Sequence, residues 1–184
     1  MTLGRVLSAL VLLAIAAALC GCGGGASAST ARSAGQGAAA FRVAGADNSI
    51  PDFGTEAPAA QRRAAGAALS RYLTARAAGR WGAACAVLAS AVMTQVEGFA
   101  PGGPGGARCA RGLALLPHAT GSPAEAPRRG LAALRRKGAG AFALYYGAHD
   151  QQYVMPMKLE GGAWKVTQPA PIAYPLGAEA PGSP

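Results

Sequence analysis

Hydrophobic positions recur along the chain first at helical spacing and later in alternation. In residues 61–78 an apolar stripe ends in an amphipathic arginine and consists of Ala65, Leu69, Tyr72, Leu73 and Arg76. This spacing predicts a helix, with Pro58 in its first turn and Gly79 at its end. Shorter helices are predicted from residue 81 and from residue 91. Residues 108–116 suit one or two further helical turns after a glycine-proline loop over residues 101–106.

After residue 140 the hydrophobic positions alternate, which is typical of strands. Residues 141–146 and 152–160 predict two strands, and residues 163–168 predict a third after the hairpin signal Gly161-Gly162. Residues 131–137 suit a fourth strand or a helix, because leucine, alanine and arginine are common in both. Pro156 has no backbone donor, so we expect it at an edge or a bulge of the sheet.

The order of elements predicts an α+β architecture, with N-terminal helices packed on a curved antiparallel sheet of three to four C-terminal strands. Residues 47–168 are expected to form this one domain. Residues 22–46 are rich in glycine, alanine and serine and predict a flexible tether. Residues 169–184 are rich in proline and predict a disordered tail without regular structure.

A short apolar run near the N-terminus predicts export and lipid attachment. Residues 6–19 are apolar except for Ser8, a length that suits a signal peptide better than a membrane span. The next residues, Leu19-Cys20-Gly21-Cys22, resemble the Leu-x-small-Cys processing site of bacterial lipoproteins. We therefore expect residues 1–21 to be removed and Cys22 to carry a diacylglyceryl group on the extracytoplasmic face of the cell membrane. The alternative is an ordinary secreted protein in which Cys22 is incidental.

Cysteine usage fits this interpretation. Cleavage before Cys22 removes Cys20, and acylation uses Cys22, so that Cys85 and Cys109 remain in the mature chain. An exported protein with two remaining cysteines most simply forms one disulfide, which would stabilise the fold by about 3 kcal/mol. The alternatives are two buried free thiols or a metal-binding pair, although the chain has only two histidines and no zinc signature.

The formal net charge of +9 predicts attraction to anionic lipid headgroups or to anionic polymers of the cell envelope. Nucleic acid is not an expected partner, because the arginines are scattered, no aromatic residues interleave with them, and an exported protein leaves the cytoplasm. The densest cluster, Arg135-Arg136-Lys137, is typical of a solvated face or turn.

Two short motifs carry candidate chemistry. A histidine beside a carboxylate, as in His149-Asp150, can act in acid–base catalysis, but between two strands the pair favours a turn. Met155 and Met157 can present two thioethers to Cu(I), but their spacing is also that of a strand facing a core. The sequence therefore predicts no catalytic residue, no cofactor and no metal site.

The foldable part of the chain resembles the small lipoproteins of high-GC Gram-positive bacteria that adopt a cone-shaped fold similar to nuclear transport factor 2. The resemblance rests on a long helix ending in Ala-Ala-Gly79, on Trp81-Gly-Ala-Ala-Cys85 and Arg108-Cys109-Ala, and on the ending Glu160-Gly-Gly-Ala-Trp-Lys-Val166. It implies a cone whose interior is lined by Tyr72, Tyr146, Tyr153, Met155, Met157 and Trp164, although such side chains also suit a packed core.

The wider fold includes isomerases and dehydratases as well as non-catalytic ligand binders, so fold alone does not assign an activity. The leading hypothesis is a non-catalytic, membrane-anchored module that binds an apolar small molecule, a lipid or an envelope partner. The alternatives are a small enzyme of the isomerase or dehydratase type that uses the cone, and a structural accessory subunit whose cone is filled by its own side chains.

Overall fold

A computed structural model describes residues 37–100, 102, 105–116 and 121–175 of the chain. The predicted signal peptide and Cys22 lie outside the described residues. The helices are α1 (Ala59–Ala77), α2 (Trp81–Cys85), α3 (Ser90–Gly98) and α4 (Gly105–Leu115). The strands are β1 (Thr55–Glu56), β2 (Leu131–Lys137), β3 (Gly140–Tyr146), β4 (Gln152–Glu160), β5 (Ala163–Val166) and β6 (Ile172–Tyr174).

The long helix α1 confirms the helical stripe. Pro58 precedes the first helical residue, where its missing amide donor is tolerated. Leu69, Tyr72 and Leu73 are buried on the face turned to the sheet. Gly79 adopts a φ of +64° just beyond the helix, and its amide donates to the carbonyl oxygen of Arg76. This left-handed residue lets the chain turn at once into α2.

Helices α2 to α4 are held together by a disulfide and by close backbone contact. A disulfide joins Cys85 of α2 to Cys109 of α4, whose Cα atoms lie 6.2 Å apart, in agreement with the pairing expected from the cysteine count. A side chain at Gly112 would lie 1.9 Å from the carbonyl oxygen of Val96, so glycine is required where α4 crosses α3. Helix α4 begins at Gly105, inside the segment expected to be a loop.

The sheet is antiparallel, in the order β1-β2-β3-β4-β5, and β6 pairs with β4 beside β5. The predicted α+β class and the predicted meander of three strands are confirmed. Residues 131–137 form a strand, because they pair with β3 from Leu131↔Tyr145 to Lys137↔Gly140. The sheet is larger than expected, since β1 and β6 each add a short strand.

Pro156 does not lie on an edge strand. It pairs with Phe142 of β3 in the middle of the sheet. On the other side of β4, β5 pairs with residues 157–160 and β6 with residues 152–154, so Pro156 falls in the interval between these two strands. On that side the Pro156 carbonyl oxygen accepts from the Thr167 amide, but no strand residue pairs with Pro156 there, so its missing donor is tolerated as at an edge.

Each face of the sheet carries its own hydrophobic core. On the helix face, strand residues such as Leu134, Tyr145 and Met155 pack against α1, α2 and α3. On the outer face, Leu144 and Val154 pack with a smaller cluster that does not involve these helices. The middle of the sheet is therefore buried on both sides, and successive residues there are apolar, as in Ala133-Leu134, Ala143-Leu144-Tyr145 and Val154-Met155.

Contacts on the outer face show that both ends of the folded domain extend beyond the limits predicted from composition. Within the predicted tether, Phe41 is fully buried, and its ring lies 5.1 Å from that of Tyr146 and 6.0 Å from that of Tyr174. Within the predicted tail, Ile172–Tyr174 form β6. Prolines 171 and 175 flank this strand and leave its hydrogen-bonding positions free, so the proline-rich composition did not prevent pairing. The described part of the tether is therefore packed from about residue 38.

Candidate functional site at the end of the helix-face core

The predicted lining residues divide between the two faces of the sheet. Four of them are buried on the helix face, namely Tyr72, Met155, Met157 and Trp164, and Tyr153 is half-buried on the same face. The prediction is wrong for Tyr146, which lies on the outer face against Phe41. Strand alternation places its neighbour Tyr145 on the helix face instead.

The two short motifs have structural roles. Met155 and Met157 are fully buried in the helix-face core, which confirms the packing interpretation. His149 and Asp150 lie in an exposed turn, Ala148–Asp150, between β3 and β4, and both have a φ of +55°. The expected turn is confirmed.

A buried arginine marks one end of the helix-face core. The side chain of Arg76, on α1, is 2% exposed, and its guanidinium lies 5.7 Å from the centre of the Tyr72 ring, one turn earlier. Its Nη1 atom lies 3.5 Å from Oε2 of Glu125, whose side chain is 26% exposed. Glu125 therefore stands between the guanidinium and solvent.

Three tyrosines complete this group, which we call the Arg76 cluster: Tyr72, Arg76, Glu125, Tyr145 and Tyr153. The Tyr145 and Tyr153 rings stack with centroids 5.6 Å apart. The Tyr72 hydroxyl donates a 2.7 Å hydrogen bond to the carbonyl oxygen of Pro169. The buried hydroxyl of Tyr145 has no hydrogen-bond partner among the described residues. Burial raises the pKa of Tyr72 and of Tyr145 far above the ordinary value.

The chemistry of the cluster is that of hydrogen-bond donors around a positive charge. Phenols with raised pKa values stay protonated at neutral pH, so Tyr72 and Tyr145 donate and do not act as bases. The carboxylate of Glu125 faces Arg76 at a distance typical of an ion pair. Such a group can hold an anion or a carbonyl oxygen at the guanidinium.

Glu125 belongs to a tightly packed segment that we call the 121–126 loop. A side chain at Gly121 would lie 3.2 Å from both Nη1 of Arg76 and Oε2 of Glu125. A side chain at Gly147, in the turn after β3, would lie 2.4 Å from the carbonyl oxygen of Ala124 and 2.6 Å from the Tyr153 ring. Glycine at these two positions lets the loop close over the end of the sheet.

Two clefts border α1. A cleft of about 270 Å³ separates the C-terminal half of α1 from the 121–126 loop, and its lining is mostly apolar. A larger cleft of about 680 Å³ lies between α1 and α2, carries Arg71 and Arg80, and has no acidic residue among its described lining. None of the six predicted lining residues borders either cleft.

Comparisons with known proteins do not assign the chain to a family. No protein-family model, curated protein or solved structure matches the chain. In the part of the chain that the structure describes, no three His, Cys, Asp or Glu side chains are grouped to hold a metal ion. Over the same described residues, none of the helices has the length and apolar character needed to cross a membrane.

Sequence reasoning placed Arg76 at the end of an apolar stripe but did not identify it as a site residue. The available signal was that Arg76 occupies a position that the helical period places in the core. A buried charge requires a partner, so the position pointed to a polar group nearby. Glu125 carried no comparable signal, because it lies in a proline-rich stretch without periodicity. Its contact with Arg76 spans 49 residues of sequence (125 − 76) and arises only from the tertiary fold.

Proposed function

We propose that the chain is a membrane-anchored extracytoplasmic lipoprotein whose nuclear transport factor 2-like domain binds a ligand or partner without transforming it. The anchor is the diacylglyceryl group at Cys22, and it is supported by the signal sequence and by the Leu-x-small-Cys order. The pairing of Cys85 with Cys109 is in keeping with an oxidising compartment.

The observation that carries the binding function is the Arg76 cluster. A buried charge pair is often no more stabilising than well-packed apolar side chains of the same volume, and a buried hydroxyl without a partner costs about 1–3 kcal/mol. Polar groups of this kind inside an apolar core favour a binding role.

The protonation states favour binding over catalysis. Isomerases and dehydratases need a group that takes up and releases a proton near neutral pH. Burial raises the pKa of Tyr72 and of Tyr145 and so holds their phenols protonated. The carboxylate of Glu125 is engaged by Arg76. The cluster is thus suited to hold a ligand rather than to move its protons.

The surface charge supports an anionic partner. Most acidic side chains of the described residues are matched by a nearby arginine or lysine. Arginines such as Arg71 and Arg80 have no acidic neighbour within the α1–α2 cleft. An excess of cations on a protein close to a membrane attracts anionic lipids and envelope polymers.

The second candidate function is a structural accessory subunit. It is favoured by the filled core, because Tyr72, Met155, Met157 and Trp164 pack among themselves and their neighbours instead of lining either described cleft. Under this alternative the Arg76 cluster only fixes the position of the 121–126 loop, and no small molecule binds there.

The anchor is tested by mass spectrometry of the chain recovered from its own membrane. We expect a diacylglyceryl group on Cys22 and no residues before it. Cys22→Ser should release the protein from the membrane, whereas Cys20→Ser, a matched change inside the removed segment, should leave acylation intact. An unmodified N-terminus, or acylation that survives Cys22→Ser, would show that the anchor is wrong.

The binding function is tested by native mass spectrometry of the same preparation, with detergent alone as the blank. We expect a small organic molecule that leaves when Arg76 is replaced by methionine and stays when the exposed Arg63 of the same helix is replaced by methionine. A preparation free of any small molecule, with an envelope protein retained through both replacements, would favour the accessory subunit and overturn the binding module.

A further inference from the structure

We propose that the Arg76 cluster takes an organic carboxylate, whose oxygen atoms replace those of Glu125 at the guanidinium while its apolar part occupies the cleft between α1 and the 121–126 loop. This inference rests on the binding function proposed above and names the chemical class of its ligand. It follows from the position of Glu125, from the neighbouring cleft and from the donors around the guanidinium.

Glu125 is placed like a carboxylate that can be exchanged. Its Oε2 atom is buried, lies 3.5 Å from Arg76, and makes no hydrogen bond to the described residues. The side chain is 26% exposed, whereas that of Arg76 is 2% exposed. Glu125 can therefore rotate towards solvent without unpacking the core, and a carboxylate of similar shape can take its place.

The cleft beside this ion pair is built from the same two segments as the pair itself. Leu73 and Ala77 of α1 lie one turn before and one residue after Arg76, and Pro123 and Ala126 flank Glu125. The volume of about 270 Å³ suits an aromatic ring or a short alkyl chain. A ligand with one carboxylate and a small apolar part matches both features.

Tyr145 supplies a further donor. Its hydroxyl is buried and without a partner among the described residues, and the charges of both Glu125 and Arg76 act on it. A carboxylate has more acceptor positions than one guanidinium nitrogen fills. The phenol is thus available to donate to the incoming anion once Glu125 has moved away.

The test uses the full chain as recovered from cells, with fluorine NMR of 4-fluorobenzoate as the probe and empty micelles as the blank. The neutral 4-fluorobenzyl alcohol and the cationic 4-fluorobenzylamine have the same ring. We expect binding of the benzoate and at least about tenfold weaker binding of the other two. Equal binding of the alcohol and the acid would overturn the role of the guanidinium.

Two substitutions separate this inference from general effects on folding. Glu125→Gln removes the internal competitor and should tighten benzoate binding by about tenfold. Glu97→Gln breaks a second ion pair with the same nitrogen–oxygen distance, 3.5 Å to Arg108, and should leave binding unchanged. An unchanged affinity in Glu125→Gln, or an equal gain in Glu97→Gln, would contradict the exchange of carboxylates.

Tyr145→Phe provides an independent measurement, because it leaves the ion pair in place. It should weaken benzoate binding by about fivefold to tenfold. Full affinity in this variant would exclude the phenol from the site. If the benzoate fails to bind while another small molecule is found on the native protein, the carboxylate inference fails and the binding module survives. If no small molecule of any class binds, both fail.

Discussion

The two faces of the sheet are stabilised by different means. The helix face is covered by four helices, is closed by the Cys85–Cys109 disulfide, and contains the buried Arg76–Glu125 pair. The outer face is covered by the segment that starts near Ala38, which packs with Tyr174 of the edge strand β6, and its cluster is smaller. Both faces bury aromatic rings, but only the helix face combines a covalent link with a buried charge. We infer that global stability resides on the helix face and that the outer layer can detach separately.

Removal of the disulfide should give the largest effect. Replacing Cys85 and Cys109 together by alanine frees a loop with a sequence separation of 24 residues and should lower the free energy of unfolding by about 3 kcal/mol. Chemical denaturation of the oxidised protein and of the variant measures this difference. A loss below about 1 kcal/mol would mean that packing alone holds α2 and α4 in place.

Phe41→Ala should have the next largest effect and should act locally. Truncating a buried phenylalanine usually lowers the free energy of unfolding by about 3–5 kcal/mol. Here the loss cannot exceed the free energy that holds the outer layer on the sheet, which we expect to be about 2 kcal/mol. Hydrogen exchange should show lost protection in residues 38–53 while α1 stays protected. Phe99→Ala is the matched control, because that ring is 59% exposed and should change nothing. Uniform loss of protection in α1 would show that the two faces unfold together.

Two tyrosines of the helix face should respond in opposite directions. Tyr145→Phe removes a buried hydroxyl that has no partner among the described residues and should raise the unfolding free energy by about 1 kcal/mol. Tyr72→Phe removes the hydroxyl that donates to the Pro169 carbonyl oxygen and should lower it by about 1 kcal/mol. Thermal melts of the two variants at matched concentration compare them. A loss in both would indicate that the Tyr145 hydroxyl is satisfied in solution.

The smallest expected effects on stability concern two carboxylates, Glu160 beside the helices and Asp47 in the segment of the outer layer. A hydrogen bond from the Ser90 amide lowers the pKa of Glu160, and one from the Ser49 amide lowers that of Asp47. A carboxylate whose folded pKa is depressed stabilises the fold above its unfolded pKa and loses this contribution as the pH falls through the folded value. The loss should therefore occur below about pH 4.5 for Glu160.

The consequences of these two hydrogen bonds should differ. Glu160 joins the end of β4 to the start of α3, so Glu160→Gln should flatten the acid dependence of global unfolding. Asp47 bonds only to a residue two positions away, so Asp47→Asn should alter local exchange alone. Unfolding curves recorded between about pH 6 and about pH 3 test both expectations. Equal flattening by both substitutions would contradict the separation of the two layers.

The sequence was most informative where a pattern is repeated locally. Helix α1 and strands β3 to β5 follow from the spacing of apolar residues, and the pairing of Cys85 with Cys109 follows from counting. Residues 131–137 could not be assigned in this way, because their leucines and alanines satisfy both periods. The hydrogen bonds to β3 decide between them, and these bonds involve another segment of the chain.

The outer layer and the candidate site were missed for a related reason. Phe41 is a single aromatic residue after a run of small residues, and β6 is three residues between prolines. Neither segment has a period of its own. Phe41 becomes ordered by burying apolar surface against the sheet, and β6 by pairing with β4, so both depend on distant parts of the chain. Glu125 is placed beside Arg76 by the same tertiary contacts.

The packing of Ala38 and Phe41 on the sheet shortens the segment between the proposed lipid anchor and the folded domain. If Cys22 carries the proposed lipid, Ala38, the first buried side chain among the described residues, lies 38 − 22 = 16 residues along the chain from the bilayer. A chain of this length reaches at most about 55 Å when fully stretched, and about 22 Å on average if it behaves as a flexible coil. For a protein anchored as proposed, partners in or on the same bilayer would lie within this radius, and targets deep in a thick cell wall would not.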